Sequence, residues 1–269
     1  MSIRISIITI VFNDLVGFRK TFKSVNNQSY KNFEFIVIDG KSTDGTFEFI
    51  SEQSKYISNW VSEQDEGIYD AMNKGLELVS GDYVIFLNAG DCFYSYETLS
   101  KSIGYIQIPD TVYFGRASII GDKQDWLFPP LNYNNNNINT WLEYNVPNHQ
   151  AMFFPKSYYS KNKYNLSLKI SSDKDYKLNA QKNNQLPFVF CDFILCEFSL
   201  GGVSSSNDWK NSINISKELW VIDSKYYSFW FAINNQVKHY LKLILNILLG
   251  KRMFHEILNC IKYKHFKKE

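Results

Sequence analysis

The sequence predicts an α/β domain built on a mostly parallel sheet with flanking helices, followed by a C-terminal helical extension. Three observations predict it. Runs of β-branched and aromatic residues at 5–11, 33–39 and 83–87 have strand length and are apolar almost throughout, as expected of strands covered on both faces. Between them apolar residues recur at helical spacing, and strands alternating with helices imply parallel neighbours. After about residue 220 the character changes to helical stripes with a basic balance. The corresponding units are 1–220 for the main domain and 221–269 for the extension.

In chain order, Ile5 to Val11 is the first strand. Phe18, Phe22 and Val25 then mark one face of a helix. Phe33 to Asp39 is the second strand, followed by a turn-rich stretch, Gly40 to Gly45, and a helix over Thr46 to Ser54. Ile68, Met72, Leu76 and Val79 lie at i, i+4, i+8 and i+11, which predicts a helix burying that stripe. Tyr83 to Leu87 is the third strand, left through Asn88-Ala89-Gly90-Asp91. Thr111 to Arg116, Met152 to Phe154 and Phe188 to Phe190 read as further strands, and Asp173 to Lys182 as a helix. Asn132 to Asn139 is a polar low-complexity loop.

The chain has 269 residues, 45% of them hydrophobic, which is enough to bury a core. Lys and Arg number 29 against 27 acids, a net charge of +2. That balance gives no strong field for a polyphosphate, so no nucleic-acid partner is expected. Cys92, Cys191, Cys196 and Cys260 form no CxxC pair and read as reduced, packed thiols. The apolar N-terminus is short, ends at Asn13 and Asp14, and reads as a strand rather than a signal peptide. No run reaches the roughly 18 apolar residues of a membrane span. The cytoplasm is therefore the expected compartment.

The chemistry-bearing residues cluster at strand ends, where open α/β sheets bind ligands. Asp39 ends the second strand, and a carboxylate there can accept hydrogen bonds from a base or ribose. Asp91 in the Asn88–Asp91 loop offers a hard oxygen ligand for a divalent cation shared with substrate phosphates. Both acids also suit a cap or turn, a common use of Asp. No GxGxxG or P-loop follows the first strand.

Four segments, in order and at matching spacing, carry a resemblance. They are Ile5 to Asn13, Glu34 to Thr46, Asp65-Glu66-Gly67-Ile68-Tyr69-Asp70-Ala71-Met72-Asn73-Lys74-Gly75, and Gly81 to Asp91. The sequence resembles a family 2 inverting glycosyltransferase of the Rossmann-like GT-A fold, of the bacterial polysaccharide and O-antigen type. The resemblance implies a nucleotide-sugar donor, UDP-linked, bound by Thr9, Val11, Asp39, Asp65, Gly67, Asn73, Lys74, Asn88 and Ala89. It implies a Mn²⁺ or Mg²⁺ ion at a DxD loop, here Asn88-Ala89-Gly90-Asp91, in which Asp91 is the remaining carboxylate ligand. It implies Asp173 as the catalytic base that deprotonates the acceptor hydroxyl. Asp175 is the competitor, because residues two apart do not share a helix face. His149, Asp175 and Gly202 fall on the acceptor side. The implied acceptor is a glycan on a polyprenyl lipid, and the implied location is the inner face of the plasma membrane. A nucleotidyltransferase, or a nucleotide-sugar-binding protein without catalysis, is the alternative. The first would want a Gly-rich loop where Val11-Phe12-Asn13-Asp14-Leu15 stands.

In the tail, Val237, Leu241, Ile244, Leu245 and Leu248 form an apolar stripe. Lys238 to Lys268 holds eight basic residues against one acid, Glu256. The stripe suits packing on the domain, an anionic membrane surface, or a homodimer interface. Aromatic residues make up 17% of the chain. Tyr69 reads as a nucleotide-side contact. Trp126, Phe128, Tyr133, Trp141 and Tyr144 read as acceptor-side rings, and Tyr226, Tyr227, Phe229, Trp230 and Phe231 as interfacial aromatics.

Overall fold

The computed structural model describes residues 2–121, 125–199, 209–241 and 244–245. Gly202, Leu248, Cys260 and the remainder of the basic tail lie outside the described residues. The N-terminal half alternates strictly: β1 (Ile5–Val11), α1 (Leu15–Asn26), β2 (Phe33–Asp39), α2 (Thr46–Glu52), β3 (Asn59–Ser62), α3 (Ile68–Leu78) and β4 (Tyr83–Phe86). Then come β5 (Cys92–Phe93), α4 (Thr98–Tyr105), β6 (Val112–Ile120), β7 (Trp126–Phe128), α5 (Ile138–Leu142), β8 (Met152–Pro155) and α6 (Lys156–Tyr159). α7 (Ser172–Leu178), β9 (Phe188–Ser199) and α8 (Trp209–Tyr226) complete the described elements. Residues 229–241 form one more helical stretch.

The strands make one sheet in the order β3-β2-β1-β4-β8-β6-β9-β5, with β7 paired to β6. β3, β2, β1 and β4 run parallel. Beyond β4 the sheet is mixed: β8 is antiparallel to both neighbours, and β9 is parallel to β6. The period of two divides the core. Ile5, Ile7, Val11, Phe35 and Val37 face one cluster with Phe18 and Val25. Ile8, Ile10, Ile36 and Ile38 face the other with Met72 and Leu76. Gly75 lets α3 press against the sheet, because a Cβ there would stand 2.6 Å from Ile8 Cγ2.

The buried stripe of α3 is rotated from the one the spacing suggested. Tyr69, Ala71, Met72 and Leu76 are buried, whereas Ile68 is exposed at the cleft and Val79 lies past the helix end in extended conformation. The polar segment is a loop only as far as Asn137, tied internally by Asn134 N bonding Asn137 Oδ1 and Asn137 Nδ2 bonding Asn132 O, and Ile138 and Asn139 already open α5. α8 runs unbroken through residue 220 and buries Ile222 against Leu168 and Leu178. The helix ends at Tyr226, and residues 227–228 are not helical. Cys92, Cys191 and Cys196 are buried free thiols.

Candidate active site

A cleft of 680 Å³ opens where β1, β2, β3 and β4 end. Parallel strands bring four successive loops to one edge. β1 contributes Val11, Phe12 and Asp14, and β2 contributes Gly40 and Lys41. Asp65, Gly67 and Ile68 come from the approach to α3, and Asn88, Ala89 and Asp91 from the loop after β4. Gln150 and Phe198 close it from the second half of the sheet. Gly40 is required by close approach: a Cβ there would stand 2.8 Å from Asp65 Oδ2 and 3.1 Å from the Phe12 ring. Of the residues the resemblance put on the donor, Val11, Asp65, Gly67, Asn88 and Ala89 line this cleft, as does Asp91.

Thr9, Asp39, Asn73 and Lys74 do not, and each is turned to another task by packing. Thr9 is buried in β1 and donates to Leu87 O at 2.6 Å. Asp39 is buried, and its carboxylate accepts from Ser42 N and from Ser62 Oγ at 2.5 Å, shaping the Gly40–Ser42 turn. The Asn73 amide clamps both backbone groups of Tyr164. The Lys74 ammonium is ringed by Glu63, Asp65 and Asp70 at 2.9, 2.9 and 3.2 Å. Burial pulls its pKa down, but the hydrogen bonds it donates to those carboxylates outweigh it and hold Lys74 charged. Tyr69 is buried as well, stacked on Tyr164, with its hydroxyl on Ile170 O at 2.6 Å. Trp141 is core, packed with Phe128 and Tyr133.

The floor of the cleft is the Asn88–Asp91 loop, pinned by α1. Thr21 Oγ1 donates to Asp91 O at 2.7 Å and accepts from Gly90 N at 3.0 Å. The Asp91 side chain is 4% exposed. Burial pushes its carboxyl up to about 7, against the pull of a Gln150 amide bond at 3.2 Å. Asn88 Oδ1 is buried with no hydrogen-bond partner. Among the described residues no three His, Cys, Asp or Glu side chains converge into a metal cage. A buried carboxylate that makes no ion pair among the described residues, beside an orphaned amide oxygen, nevertheless fits a divalent ion. Such ions are commonly held by one or two protein oxygens and completed by substrate phosphates.

His149 joins this floor to Asp173. Its Nε2 lies 3.4 Å from Asn88 Nδ2 and its Nδ1 lies 3.4 Å from Asp173 Oδ2. With the Asn88 amide donating, Nε2 is the acceptor and Nδ1 carries its proton towards Asp173. Asp173 Oδ2 also accepts from Lys177 Nζ at 3.0 Å, and the Tyr69 hydroxyl stands 3.3 Å from Oδ1. Burial alone would raise the Asp173 pKa. The Lys177 ammonium and the His149 hydrogen bond overcome it and hold the carboxyl far below the usual range. Asp175 faces the other way, accepting from Lys225 Nζ and the Tyr226 hydroxyl of α8, both at 2.9 Å. The half-turn between the two acids therefore sends Asp173 to His149 and Lys177 and Asp175 to α8, away from His149.

Several residues the motif pattern did not point to shape the site. Lys177 had a local signal, four residues after Asp173 on one helix face. Phe12 is 65% exposed inside the cleft, and its position directly after a strand was the available sign. Thr21 and Phe198 arrive from distant elements and left no sequence signal, whereas Gln150 is the immediate neighbour of His149.

Comparison with known proteins adds to this geometry. The family model described as glycosyl transferase family 2 matches residues 6–200. An uncharacterized glycosyltransferase of Mycobacterium tuberculosis is 33% identical over 210 residues, covering 76% of this chain and 78% of its own. A PGL/p-HBAD biosynthesis glycosyltransferase of Mycobacterium bovis is 24% identical over 192 residues, 68% of this chain and 72% of its own. Among solved structures, S. aureus TarS 1-349 with UDP-GlcNAc superposes with a TM-score of 0.65 at 16% identity, over 82% of this chain and 66% of that one. A longer TarS chain is spanned to only 39%. The mannosyltransferase PcManGT from Pyrobaculum calidifontis, with GDP-Man and Mn²⁺, gives 0.61 at 15% identity, over 84% and 64%. These structural likenesses establish the shared fold.

Proposed function

The chain belongs to glycosyl transferase family 2, and from that premise we propose that it moves a sugar from a UDP-sugar to a saccharide hydroxyl with inversion. It is a glycosyltransferase using a nucleotide-sugar donor. The observation that carries the finer reading is the His149 bridge, which ties the donor-side loop at Asn88 to one buried-edge carboxylate, Asp173. In this reading the base stacks on Phe12, with Val11, Gly40 and Asp65 around it. The diphosphate lies towards Asn88, Ala89 and Asp91, and Lys41 is the cation on the cleft wall. Asp39 and Lys74 act through the turns and acids they hold. Asn88 and Asp91 would hold a Mn²⁺ or Mg²⁺ ion, which supplies charge compensation for the leaving diphosphate.

Asp173 is ionised throughout the neutral range and accepts the proton of the attacking hydroxyl during in-line displacement at the anomeric carbon. Lys177 and the Tyr69 hydroxyl hold its two oxygens in place. The acceptor is a glycan carried on a polyprenyl lipid, of the polysaccharide or O-antigen type, met at the inner face of the plasma membrane. Exposed Phe229, Trp230, Leu241 and Ile244 support this placement, together with the basic tail. Among the described residues no helix is long and apolar enough to cross a membrane. We take residues 1–226 as the transferase unit and the remainder as its membrane-docking extension.

A thermal-shift panel of UDP-, GDP- and dTDP-sugars with Mn²⁺ tests the donor, since a ligand binding the folded state raises its melting temperature. UDP-sugars are expected to give the largest shift, and a shift confined to GDP-sugars would redirect the reading. The anomeric configuration of the product, followed by NMR, must be opposite to that of the donor. Trp230→Ser with Leu241→Ser is expected to abolish flotation with anionic liposomes, and unaltered flotation would remove the membrane reading.

A further inference from the structure

The helix that carries Asp173 borrows its N-terminal support from the C-terminal part of the chain. Ser171, at the N-cap of α7, makes no side-chain cap bond. The backbone N–H groups leading into the helix converge instead on one carboxylate of α8. Lys169 N and Ile170 N reach Glu218 Oε1 at 2.7 and 3.3 Å. Ile170 N and Ser171 N reach Oε2 at 3.0 and 2.8 Å. Three successive N–H groups cradling one anion is a recurrent concavity for a negative charge, and hydrogen bonds to an ionised acceptor are the stronger kind. The carbonyl of the same Ile170 accepts the Tyr69 hydroxyl at 2.6 Å. Ile170, three residues before Asp173, is thus gripped at its N–H by α8 and at its C=O by α3.

The other contacts between α7 and α8 serve a different part of the helix. Lys174 pairs with Asp223 at 2.7 Å and Lys225 with Asp175 at 2.9 Å. Leu178 packs on Ile222. They hold the outer face of α7, whereas Glu218 holds the turn that sets where the helix begins. Asp173 is the second residue of that helix, so a change in the turn moves its carboxylate directly. A displacement of about 1 Å in a reacting group can cost on the order of a hundredfold in rate.

We propose that Glu218 is a positioning residue for sugar transfer: by binding the 169–171 backbone it places Asp173 against His149 and the cleft. This rests on the reading of Asp173 as the base. The C-terminal helix is then a working part of the site.

The test compares Glu218→Gln, Glu218→Ala, Asp173→Asn and a destabilised control, Ile106→Ala, which empties space in a core cluster that contains no residue of α7. The rate is UDP release from UDP-GlcNAc with Mn²⁺ in the presence of acceptor. Amide hydrogen exchange over 169–178 is measured on the same proteins and needs no turnover. Glu218→Ala is expected to lower kcat about tenfold to a hundredfold, with the KM for UDP-GlcNAc within about twofold of wild type. Glu218→Gln, which keeps an acceptor oxygen, is expected to fall between Ala and wild type, and amides 169–171 are expected to exchange faster in both. The control loses melting temperature but keeps kcat. Unchanged exchange at 169–171 overturns the proposal, as does an equal loss of kcat in the control. If Asp173→Asn is inactive while Glu218→Ala turns over normally, the positioning role alone fails. If Asp173→Asn keeps the wild-type rate, the base assignment fails and the role of Glu218 falls with it.

Discussion

Asp91 on the cleft floor and Asp173 at the start of α7 are the two acids nearest the Asn88–His149 bridge, yet their surroundings drive them in opposite directions. Asp91 is 4% exposed, with a Gln150 amide as side-chain partner, and burial lifts its carboxyl to about 7. Asp173 is 24% exposed, and burial again pushes upward, but Lys177 and His149 reverse the shift. The difference is an ammonium placed four residues along the same helix, with the His149 hydrogen bond beside it. Two nearby carboxylates are thereby held in different protonation regimes, the consequence of unequal environments. Asp91 feels the Lys20 charge without pairing with it among the described residues, and burial keeps its carboxyl up. Asp173 already has its cation and stays ionised.

The sharpest way to break the comparison is Asp173→Asn. It removes the proton acceptor and keeps the shape, so turnover should fall about 10²- to 10⁴-fold, while UDP-sugars still raise the melting temperature as in wild type. A variant that binds donor and retains its rate would show that proton transfer runs elsewhere.

Lys177→Met attacks the same carboxylate through its partner. Removing one member of a largely buried pair costs about 3–5 kcal/mol, and the partial exposure of Asp173 places the expected loss at the lower end, read by urea unfolding. Asp173 should lose its depressed pKa, so an acidic limb enters the pH–rate profile. A profile identical to wild type would mean that Lys177 does not control Asp173.

Asp91→Asn examines the opposite member without any metal present. The folded-state pKa of Asp91 lies above its unfolded value of 3.8. Between those values the folded chain holds a proton the unfolded chain has lost, so stability contributed by Asp91 is full below about pH 4 and declines as pH rises through 7. The Asn variant should therefore gain melting temperature relative to wild type at pH 8 and show no such gain at pH 4. A difference that does not change with pH would contradict the raised pKa. With Mn²⁺ added, the variant should lose the stabilisation that wild type gains.

Gly40→Ala is the smallest change. Its Cβ would crowd Asp65 and Phe12 at the cleft wall, which should raise the donor KM several-fold, on the order of 1 kcal/mol, at nearly constant kcat. An unchanged KM would place the nucleotide away from that wall.

Strand and helix placement in the first half was legible because it depends on local patterns. The apolar runs at 5–11 and 33–39 coincide with β1 and β2. β3 escaped notice because Asn59–Ser62 is four residues long and only partly buried. The mixed order beyond β4 was hidden because strand direction is set by where distant segments return. Within the site, Asn88, Asp91 and Gly67 stand on loops that leave strands for the cleft, and such positions follow from motif and topology together. Asn73 and Lys74 share a motif with Gly67, yet they point to Tyr164 and to a ring of acids.

By itself the sequence determined the alternation of strands and helices, the family resemblance and the short list of carboxylates at strand ends. Periodicity and short motifs are properties of neighbouring residues, so they survive without coordinates. Only the tertiary structure decided which carboxylate meets which charge. Asp173 and Asp175 are indistinguishable as letters, but two residues turn about 200° around a helix, which sends one to His149 and Lys177 and the other to Lys225 and Tyr226. Contacts between residues some 50 to 100 positions apart, such as Glu218 on the 169–171 turn or Tyr69 on Ile170, exist only once the core has closed, because the packing of buried faces is what brings those side chains within hydrogen-bond range.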